Sequence, residues 1–294
     1  MLTRRQFTGV LGTGLAVALN PRATGAFQGG GSALEQTVAA VEQRLRARVG
    51  MTILDTGAQR RWTHRASERF PLCSTFKLLA AAAVLARVDQ GRESLERRVL
   101  YERSDLVAYS PITEPRAGGG MTIAELCEAA VTLSDNTAGN LLLKSLGGPQ
   151  GITDFARSVG DVVTRLDRWE TDLNEATPGD PRDTTSPEAM ATTVETLVSG
   201  QRLSPRSTAQ LVAWMESSKT GDAKLRAGLP KDWRTGDKTG AGAHGSLNDV
   251  AVTWPPHRKP IVIALYITET AATTDEGNAA MAEIARATTR VLGY

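Results

Sequence analysis

The spacing of apolar residues over the first two thirds of the chain predicts mainly helices. Positions 34–49 place apolar residues at helical intervals, and the short runs 51–54 and 61–64 are typical of strands. From about 74 to 211 the pattern predicts one helix after another, without a convincing pair of strands. The middle of the chain is therefore expected to be helical.

Strand patterns return in the last third of the chain. They cover 234–239, 249–254 and 261–268, and a helical pattern over 274–292 follows them. Because strands occur near both ends of the chain and helices fill its middle, the order of elements predicts an α+β fold.

The predicted architecture is an α/β/α sandwich, in which an antiparallel sheet carries the terminal helices and a helical subdomain lies beside it. The sheet subdomain is expected to combine residues of about 32–72 and 216–294, and the helical subdomain to cover about 73–215. We expect the active site in the cleft between the two subdomains.

The first 26 residues have the features of an export signal. A basic segment, Thr3–Phe7, precedes an apolar run, Val10–Leu19, and small residues end at Ala26. The paired arginines resemble a twin-arginine signal, which would export the protein folded to the periplasm or medium. The alternative is a membrane anchor, but the apolar run is too short to span a bilayer. We expect a catalytic domain over 27–294 with no stable membrane association after export.

Composition and the rarer residue types narrow the possible partners. The chain has 294 residues, 22% of them charged, and a formal net charge of +2, which predicts no nucleic-acid partner. The histidines at 64, 244 and 257 have no ligand spacing, so no metal or cofactor is expected. The two cysteines, Cys73 and Cys127, are predicted to be free and buried.

Ser74 and Lys77 are the first candidates for chemistry. They open an alanine- and leucine-rich helical run over 78–88, and residues three apart share a helix face. A neighbouring amine can take the proton of a serine, and a helix N-terminus favours an oxyanion on a substrate carbonyl. The alternative is a serine that begins a helix beside a solvated lysine.

Two further tripeptides carry polar side chains at turns. Ser134–Asn136 lies between two helix patterns, where a hydroxyl could move a proton and a carboxamide could bind a substrate amide, although a helix cap is the simpler interpretation. Lys238–Gly240 ends a strand and offers a cation, a hydroxyl donor and a glycine, Gly240, against which a substrate backbone could lie. The alternative for this second tripeptide is a strand-end turn with a solvated lysine.

The segment 165–183 is a long loop within a compact domain, and such loops are usually functional. Glu170 and Asn174 could hold one water between them, with Glu170 as a general base for cleaving an ester. Arg168 and Asp183 bear opposite charges near its two ends and could hold it closed. The alternative is a solvated acidic loop.

These motifs together resemble the class A serine β-lactamases, for which S-x-x-K, S-D-N and K-T-G are a known signature. The resemblance covers nearly the whole chain after the leader. The matching segments are Phe70–Lys77, Tyr109–Pro111, Ser134–Asn136, Arg165–Glu170, Asp183–Thr185 and Asp237–Gly240.

The resemblance implies a role for each catalytic candidate. Ser74 would be the acylated nucleophile, and Lys77 would accept a proton beside it. Ser134 would protonate the β-lactam nitrogen, and Glu170 with Asn174 would hold the water that removes the acyl group. Whether Lys77 or Glu170 takes the first proton is disputed for the family and is left open by the sequence.

The resemblance also implies the groups that bind substrate. Asn136 would bind the acylamide side chain, Tyr109 would line the cleft, and the backbone N–H groups of Ser74 and Ala241 would form an oxyanion hole. Lys238 and Thr239 would bind the carboxylate of the substrate.

The chain departs from the family at the carboxylate site. Where relatives often carry an extra arginine, this sequence offers Lys224, and Leu247 fills another common arginine position. A lysine is a point charge and does not replace a bidentate guanidinium, which puts the strength of carboxylate binding in question.

The sequence is interpreted as a secreted, monomeric β-lactamase that hydrolyses penicillins and cephalosporins and confers resistance to them. One alternative is a D-alanyl-D-alanine peptidase or transpeptidase, which generally lacks the loop of Glu170. Another is a β-lactam sensor that stays acylated and is fused to a transmembrane segment, which this sequence does not show.

Overall fold

A five-stranded antiparallel sheet forms the centre of the computed structural model, which describes residues 28–294. The sheet order is β2-β1-β9-β8-β7. The strands are β1 (Arg48–Asp55), β2 (Arg60–His64), β7 (Arg234–Gly242), β8 (Ser246–Trp254) and β9 (Ile261–Thr268). Short pairs elsewhere join β3 (Phe70–Pro71) to β6 (Thr184–Thr185) and β4 (Arg98–Val99) to β5 (Met121–Thr122).

The two ends of the chain meet in this sheet. Strand β1 pairs antiparallel with β9, with Arg48 opposite Thr268 and Asp55 opposite Ile261. Helices α1 (Gln28–Leu45), α8 (Leu225–Gly228) and α9 (Thr274–Val291) cover one face of the sheet through an apolar cluster that includes residues such as Val38 and Ile284.

Six further helices share one apolar cluster with the other face of the sheet. They are α2 (Phe76–Asp89), α3 (Ile123–Thr132), α4 (Asn136–Leu146), α5 (Pro149–Ser158), α6 (Pro187–Val198) and α7 (Pro205–Glu216). Helix α2 is buried along most of its length because its alanines and leucines allow α3, α4 and α5 to approach it closely. Since both faces of the sheet are covered, β8 and β9 are buried almost throughout.

The α+β class is confirmed, and the differences from the sequence prediction lie mainly in details of length. Strands β7 and β8 are longer than predicted because they run into a tight hairpin, where Gly242 pairs with Ser246. The pair β4–β5 contradicts the expectation that positions 74–211 hold no strand pair, and β6 in the same range pairs with β3, which lies just before it. Each of those strands has only two residues, which is too short to give a periodic pattern.

The predicted export signal lies outside the described residues. Within residues 28–294, none of the helices combines the length and apolar character that crossing a bilayer requires.

Candidate active site

Ser74 lies in a single turn of 3₁₀ helix, Cys73–Thr75, that leads directly into α2. Cys73 has a left-handed backbone with φ of 43°, which turns the chain sharply before the serine. The turn is closed by Thr75, whose backbone N–H and hydroxyl both donate to the carbonyl of Leu72, at 3.1 and 2.6 Å. Ser74 is therefore at a helix N-terminus, as predicted.

Lys77 is fully buried on the first turn of α2, and its amine makes several polar contacts. Its Nζ donates to Ser74 Oγ at 2.9 Å, to Asn136 Oδ1 at 2.6 Å and to the carbonyl of Ser134 at 2.8 Å. The same Nζ lies 2.9 Å from Glu170 Oε1. The amine thus contacts residues from three separate segments of the chain.

Glu170 approaches the serine from the 165–183 loop. The hydroxyl of Ser74 donates to Glu170 Oε1 across 3.3 Å, and Asn174 Nδ2 donates to Glu170 Oε2 across 2.5 Å. The peptide bond between Glu170 and Thr171 is cis. The side-chain oxygen of Asn174, Oδ1, is buried and accepts no hydrogen bond from any described residue.

The two ends of the loop are joined at Asp183, which is almost completely buried. Its Oδ1 accepts the backbone N–H groups of Asp167 and Arg168 at 2.7 and 2.9 Å, and its Oδ2 accepts Arg168 Nε at 2.6 Å. The predicted contact between Arg168 and Asp183 is therefore present, and the carboxylate is satisfied by backbone donors as well as by the guanidinium.

The Ser134–Asn136 tripeptide divides into a structural residue and two residues that face the cleft. Asp135 caps α4 by accepting the N–H of Ala138 at 2.8 Å. Ser134 has φ of 59°, and its hydroxyl lies 3.5 Å from Lys77 Nζ. Asn136 donates through Nδ2 to the carbonyl of Ala108 at 2.8 Å. Asp135 therefore acts as the helix cap, whereas Ser134 and Asn136 lie beside Lys77.

Strand β7 brings the Lys238–Gly240 tripeptide to the opposite wall. Lys238 is fully buried and donates to Ser134 Oγ at 3.0 Å, so a hydroxyl connects the two lysines of the site. Thr239 Oγ1 lies 2.6 Å from Thr220 Oγ1. Gly240 is buried, and Ala241 is exposed at the end of the strand.

The cleft between these elements has a volume of about 360 Å³. Its lining includes most of the predicted site residues: Ser74, Tyr109, Ser134, Asn136, Asn174, Lys224, Thr239, Gly240 and Ala241. Tyr109 is 59% exposed at the rim, where its ring is accessible to a bound molecule. Lys224 lies at the far end and donates to Asn278 Oδ1 at 2.5 Å.

Burial shifts the pKa of each lysine in the same direction. Loss of hydration lowers the pKa of Lys77, although the nearby charge of Glu170 opposes this effect. Burial, together with the positive charge of Lys77, lowers the pKa of Lys238 to about 7. Burial also lowers the pKa of Lys224, opposed by Asp249. A lowered pKa makes an amine easier to deprotonate, as acid–base chemistry requires.

Comparison with known proteins identifies the family. The sequence profile described as the β-lactamase enzyme family matches residues 33–292. β-Lactamase AST-1 of Nocardia asteroides is 51% identical over 247 residues, which are 84% of this chain and 80% of the relative. β-Lactamase FAR-1 of Nocardia farcinica is 50% identical over 254 residues, 86% of this chain and 81% of the relative. An ancestral class A β-lactamase structure (GNCA) superposes with a TM-score of 0.86 at 60% identity, covering 87% of this chain and 99% of that one.

The chain belongs to the class A β-lactamases. As a β-lactamase, it hydrolyses β-lactams and confers resistance to them. This agrees with a site in which a buried amine and a carboxylate both reach one serine hydroxyl.

Two residues that support this β-lactamase site were missed in the sequence. Asn140 fixes the backbone of Glu170, since its Oδ1 accepts the N–H and its Nδ2 donates to the C=O, both at 2.9 Å. A Cβ on Gly139 would lie 2.9 Å from Lys77 Cε, so a glycine leaves room for the lysine. The sequence signal that could have found Asn140 is its position four residues after Asn136 on α4, which puts both residues on the same helix face.

The remaining predictions concern the cysteines and metals. Cys73 and Cys127 are both unbonded and buried, as predicted. Burial raises the pKa of the Cys73 thiol to about 12, which keeps it protonated beside the β-lactamase serine. Over residues 28–294 no cluster of three or more histidine, cysteine or acidic side chains has the arrangement of a metal site.

Proposed function

We propose that Ser74 is the nucleophile of this β-lactamase and that hydrolysis proceeds through an acyl-enzyme. The observation that carries the proposal is the pair of contacts at its hydroxyl, to Lys77 Nζ at 2.9 Å and to Glu170 Oε1 at 3.3 Å. A serine becomes nucleophilic when a neighbouring base removes its proton, and both groups are within reach to do so.

In the first step, Ser74 Oγ bonds to the β-lactam carbonyl carbon, and its proton passes to Lys77 or to Glu170. The negative charge that develops on the carbonyl oxygen is received by the backbone N–H groups of Ser74 and Ala241. The ring C–N bond then breaks, and the nitrogen takes the proton of the Ser134 hydroxyl. Ser134 is supported in this role by Lys77 Nζ at 3.5 Å, through which its proton is replaced, while Lys238 Nζ at 3.0 Å holds the hydroxyl in place.

In the second step, a water between Glu170 and Asn174 attacks the ester on Ser74. Glu170 takes one proton from the water, the new C–O bond forms, and Ser74 leaves as a hydroxyl after regaining a proton. The buried Oδ1 of Asn174 supports this role, because it has no partner among the described residues and could accept a hydrogen bond from such a water.

Substrate binding is assigned to the far end of the cleft. Lys238 and Thr239 bind the carboxylate that penicillins and cephalosporins share, and Lys224 adds a second cation. Asn136 binds the acylamide side chain, and Gly240 lies along the substrate backbone. Groups that hold a substrate in a fixed orientation also accelerate its reaction.

The rim of the cleft completes the assignment. Tyr109, exposed beside the opening, packs on the substrate as a movable wall. We assign no cofactor to the reaction, since every proton transfer above is made by a side chain or by water.

The two-step mechanism is tested by separating its steps. Glu170→Ala should still acylate with a penicillin but should accumulate the ester, because the water has lost its base. Intact mass spectrometry would then show a gain of one substrate mass. Asp172→Ala is the matched control, since Asp172 is an exposed carboxylate on the same loop. The control should turn over like the unaltered enzyme and carry no adduct.

Other outcomes would favour other members of the superfamily. If the unaltered enzyme gave a stoichiometric burst without turnover on a chromogenic cephalosporin, a peptidase or sensor would replace the proposed hydrolase. If Glu170→Ala turned over at the unaltered rate, the role of Glu170 would be wrong.

We further propose that the enzyme is exported by the twin-arginine route and acts as a periplasmic or secreted monomer. The support for export is the pattern of residues 1–26. We also propose the division into a sheet subdomain and a helical subdomain, and the support for it is a sheet built from both chain ends. The leader, fused to a folded reporter, should export it, and an Arg4→Lys, Arg5→Lys leader should not. A single species near 31.3 kDa or below in analytical ultracentrifugation would support a monomer.

A further inference from the structure

A buried carboxamide on the sheet ties down the turn that carries Ser74. Asn248 lies on β8, directly opposite Gly240 of β7, and none of its surface is exposed. Its Nδ2 donates to the carbonyl of Pro71 at 2.9 Å and to the carbonyl of Leu72 at 3.0 Å. One side chain therefore joins the central sheet to two consecutive carbonyls just before the nucleophile.

The Leu72 carbonyl is where several constraints on the turn meet. Besides Asn248, it accepts the N–H and the hydroxyl of Thr75. The next residue, Cys73, has the left-handed φ of 43°. A non-glycine residue keeps such a conformation only where its surroundings fix it, and the Asn248 contacts act on both peptide units that precede it.

The same contacts fix the approach of β7 to the turn. A Cβ built on Gly240 would lie 3.0 Å from Asn248 Nδ2, 3.1 Å from the Leu72 carbonyl and 3.2 Å from Cys73 Cβ. Strand β7, the carboxamide and the turn are thus packed without space between them. Ala241 directly follows Gly240, and Ser74 directly follows Cys73, so this packing sets how far apart their backbone N–H groups lie.

We propose that Asn248 is a positioning residue that fixes the spacing of the oxyanion hole. The inference rests on the proposed function, in which the N–H groups of Ser74 and Ala241 receive the carbonyl oxygen. Donors of this kind act on charge that develops in the transition state and must be held before the reaction begins. Asn248 should therefore affect the bond-making steps more than the initial binding of substrate.

The kinetic test replaces the carboxamide by an apolar side chain with the same branching. Asn248→Leu removes both donors, and we expect kcat/KM for a penicillin to fall about ten- to a hundredfold, because small displacements of a catalytic group have effects of this size. Thr253→Val is the matched control: it removes a buried hydrogen bond to Thr235 (2.8 Å) at the far end of the same strand. The control should lose stability without this loss of kcat/KM.

The decisive readout is the carbonyl stretch of the acyl-enzyme, measured by isotope-edited difference infrared spectroscopy in Glu170→Ala. Hydrogen bonds from an oxyanion hole polarise the ester carbonyl and lower its frequency. Adding Asn248→Leu should move the band to higher wavenumber, whereas adding Thr253→Val should leave it in place. A band unmoved by Asn248→Leu, with kcat/KM lowered no more than in the control, would overturn the proposal.

Two further outcomes are distinguished by the same design. If Asn248→Leu does not fold, Asn248→Ser keeps one donor and should give a smaller shift in the same direction; an unmoved band in that variant would also contradict the proposal. If Glu170→Ala alone forms no ester on Ser74, the proposed function fails, which differs from the failure of the Asn248 assignment, where the ester forms with an unchanged band.

Discussion

Three lysines of the site, Lys77 beside the nucleophile and Lys238 and Lys224 on the other side of the cleft, are all buried. They differ in what lies beside them. Lys77 has a carboxylate, Glu170, at 2.9 Å. Lys238 and Lys224 donate only to hydroxyl, carbonyl and amide oxygens within the described part of the chain. Burying a cation without a paired carboxylate raises the free energy of the folded protein, and a bound substrate carboxylate offsets this desolvation penalty.

In the proposed mechanism this difference corresponds to two roles. The paired lysine, Lys77, takes part in proton transfer, whereas the unpaired lysines, Lys238 and Lys224, bind the substrate carboxylate. We therefore expect substitutions of the paired and the unpaired lysines to respond differently to one change in the substrate, the conversion of its carboxylate to a methyl ester.

The largest effect is expected for Lys77→Met. It removes the amine beside Ser74 and leaves Glu170 without its cation, so acylation should slow about a thousandfold, within the range for general-base catalysis. Rapid-quench measurement of the acylation rate tests this, with Lys144→Met, an exposed lysine on α4, as the control. The acylation rate should fall equally for the penicillin with a free carboxylate and for its methyl ester. A fall confined to the free acid would contradict the division between the paired and the unpaired lysines.

Lys238→Ala should lower kcat/KM for the acid about a hundredfold, because it removes a charged hydrogen-bond donor from a buried site. For the methyl ester the loss should be much smaller, since that substrate offers no carboxylate to lose. Steady-state kinetics of the unaltered enzyme and the variant on both substrates form a double-mutant-type cycle, which measures the coupling between Lys238 and the substrate carboxylate. Additive losses, with no coupling between the lysine and the carboxylate, would refute the assignment.

A weaker effect of the same kind is expected for Lys224→Ala. Its Nζ already donates to Asn278 Oδ1, so it contributes a secondary contact, and we expect KM for the acid to rise about tenfold at nearly constant kcat. Lys224→Arg should lower KM, because a guanidinium can bind a carboxylate through two donors. An unchanged KM in Lys224→Ala would remove this lysine from the binding site.

The smallest expected effect is a dependence on pH. The pKa of Lys238 is lowered to about 7, so raising the pH through that value removes its charge, and kcat/KM for the acid should fall about fivefold from pH 7 to pH 8. Lys238→Arg stays charged and should abolish the fall. A fall of equal size in that variant would assign the titration to another group.

The motif residues could be predicted from sequence because each lies within a short pattern with a local physical meaning. Ser74 and Lys77 are three residues apart on one helix, and Arg168 and Asp183 bear opposite charges at the ends of one loop. The contact of Ser74 with Glu170 needed the resemblance to a known family, because the two residues are distant in sequence and no local pattern joins them.

Residues whose function depends on packing could not be predicted in this way. Gly139 is one more glycine in a helical pattern until Lys77 lies against it. Asn248 lies inside a strand pattern, and only the fold brings it beneath Leu72. The pairing of β3 with β6 could not be predicted either, because each strand has only two residues and the pairing depends on how the loop 165–183 closes.

The most direct test of the central claim is to locate the acyl group. Cleavage by trypsin after Arg69 and Lys77 releases the peptide 70–77, which contains Cys73, Ser74 and Thr75. After Glu170→Ala has reacted with a penicillin, tandem mass spectrometry should find one substrate mass on this peptide, on Ser74. An adduct on another residue, or no adduct while the unaltered enzyme hydrolyses the same penicillin, would contradict the proposed mechanism.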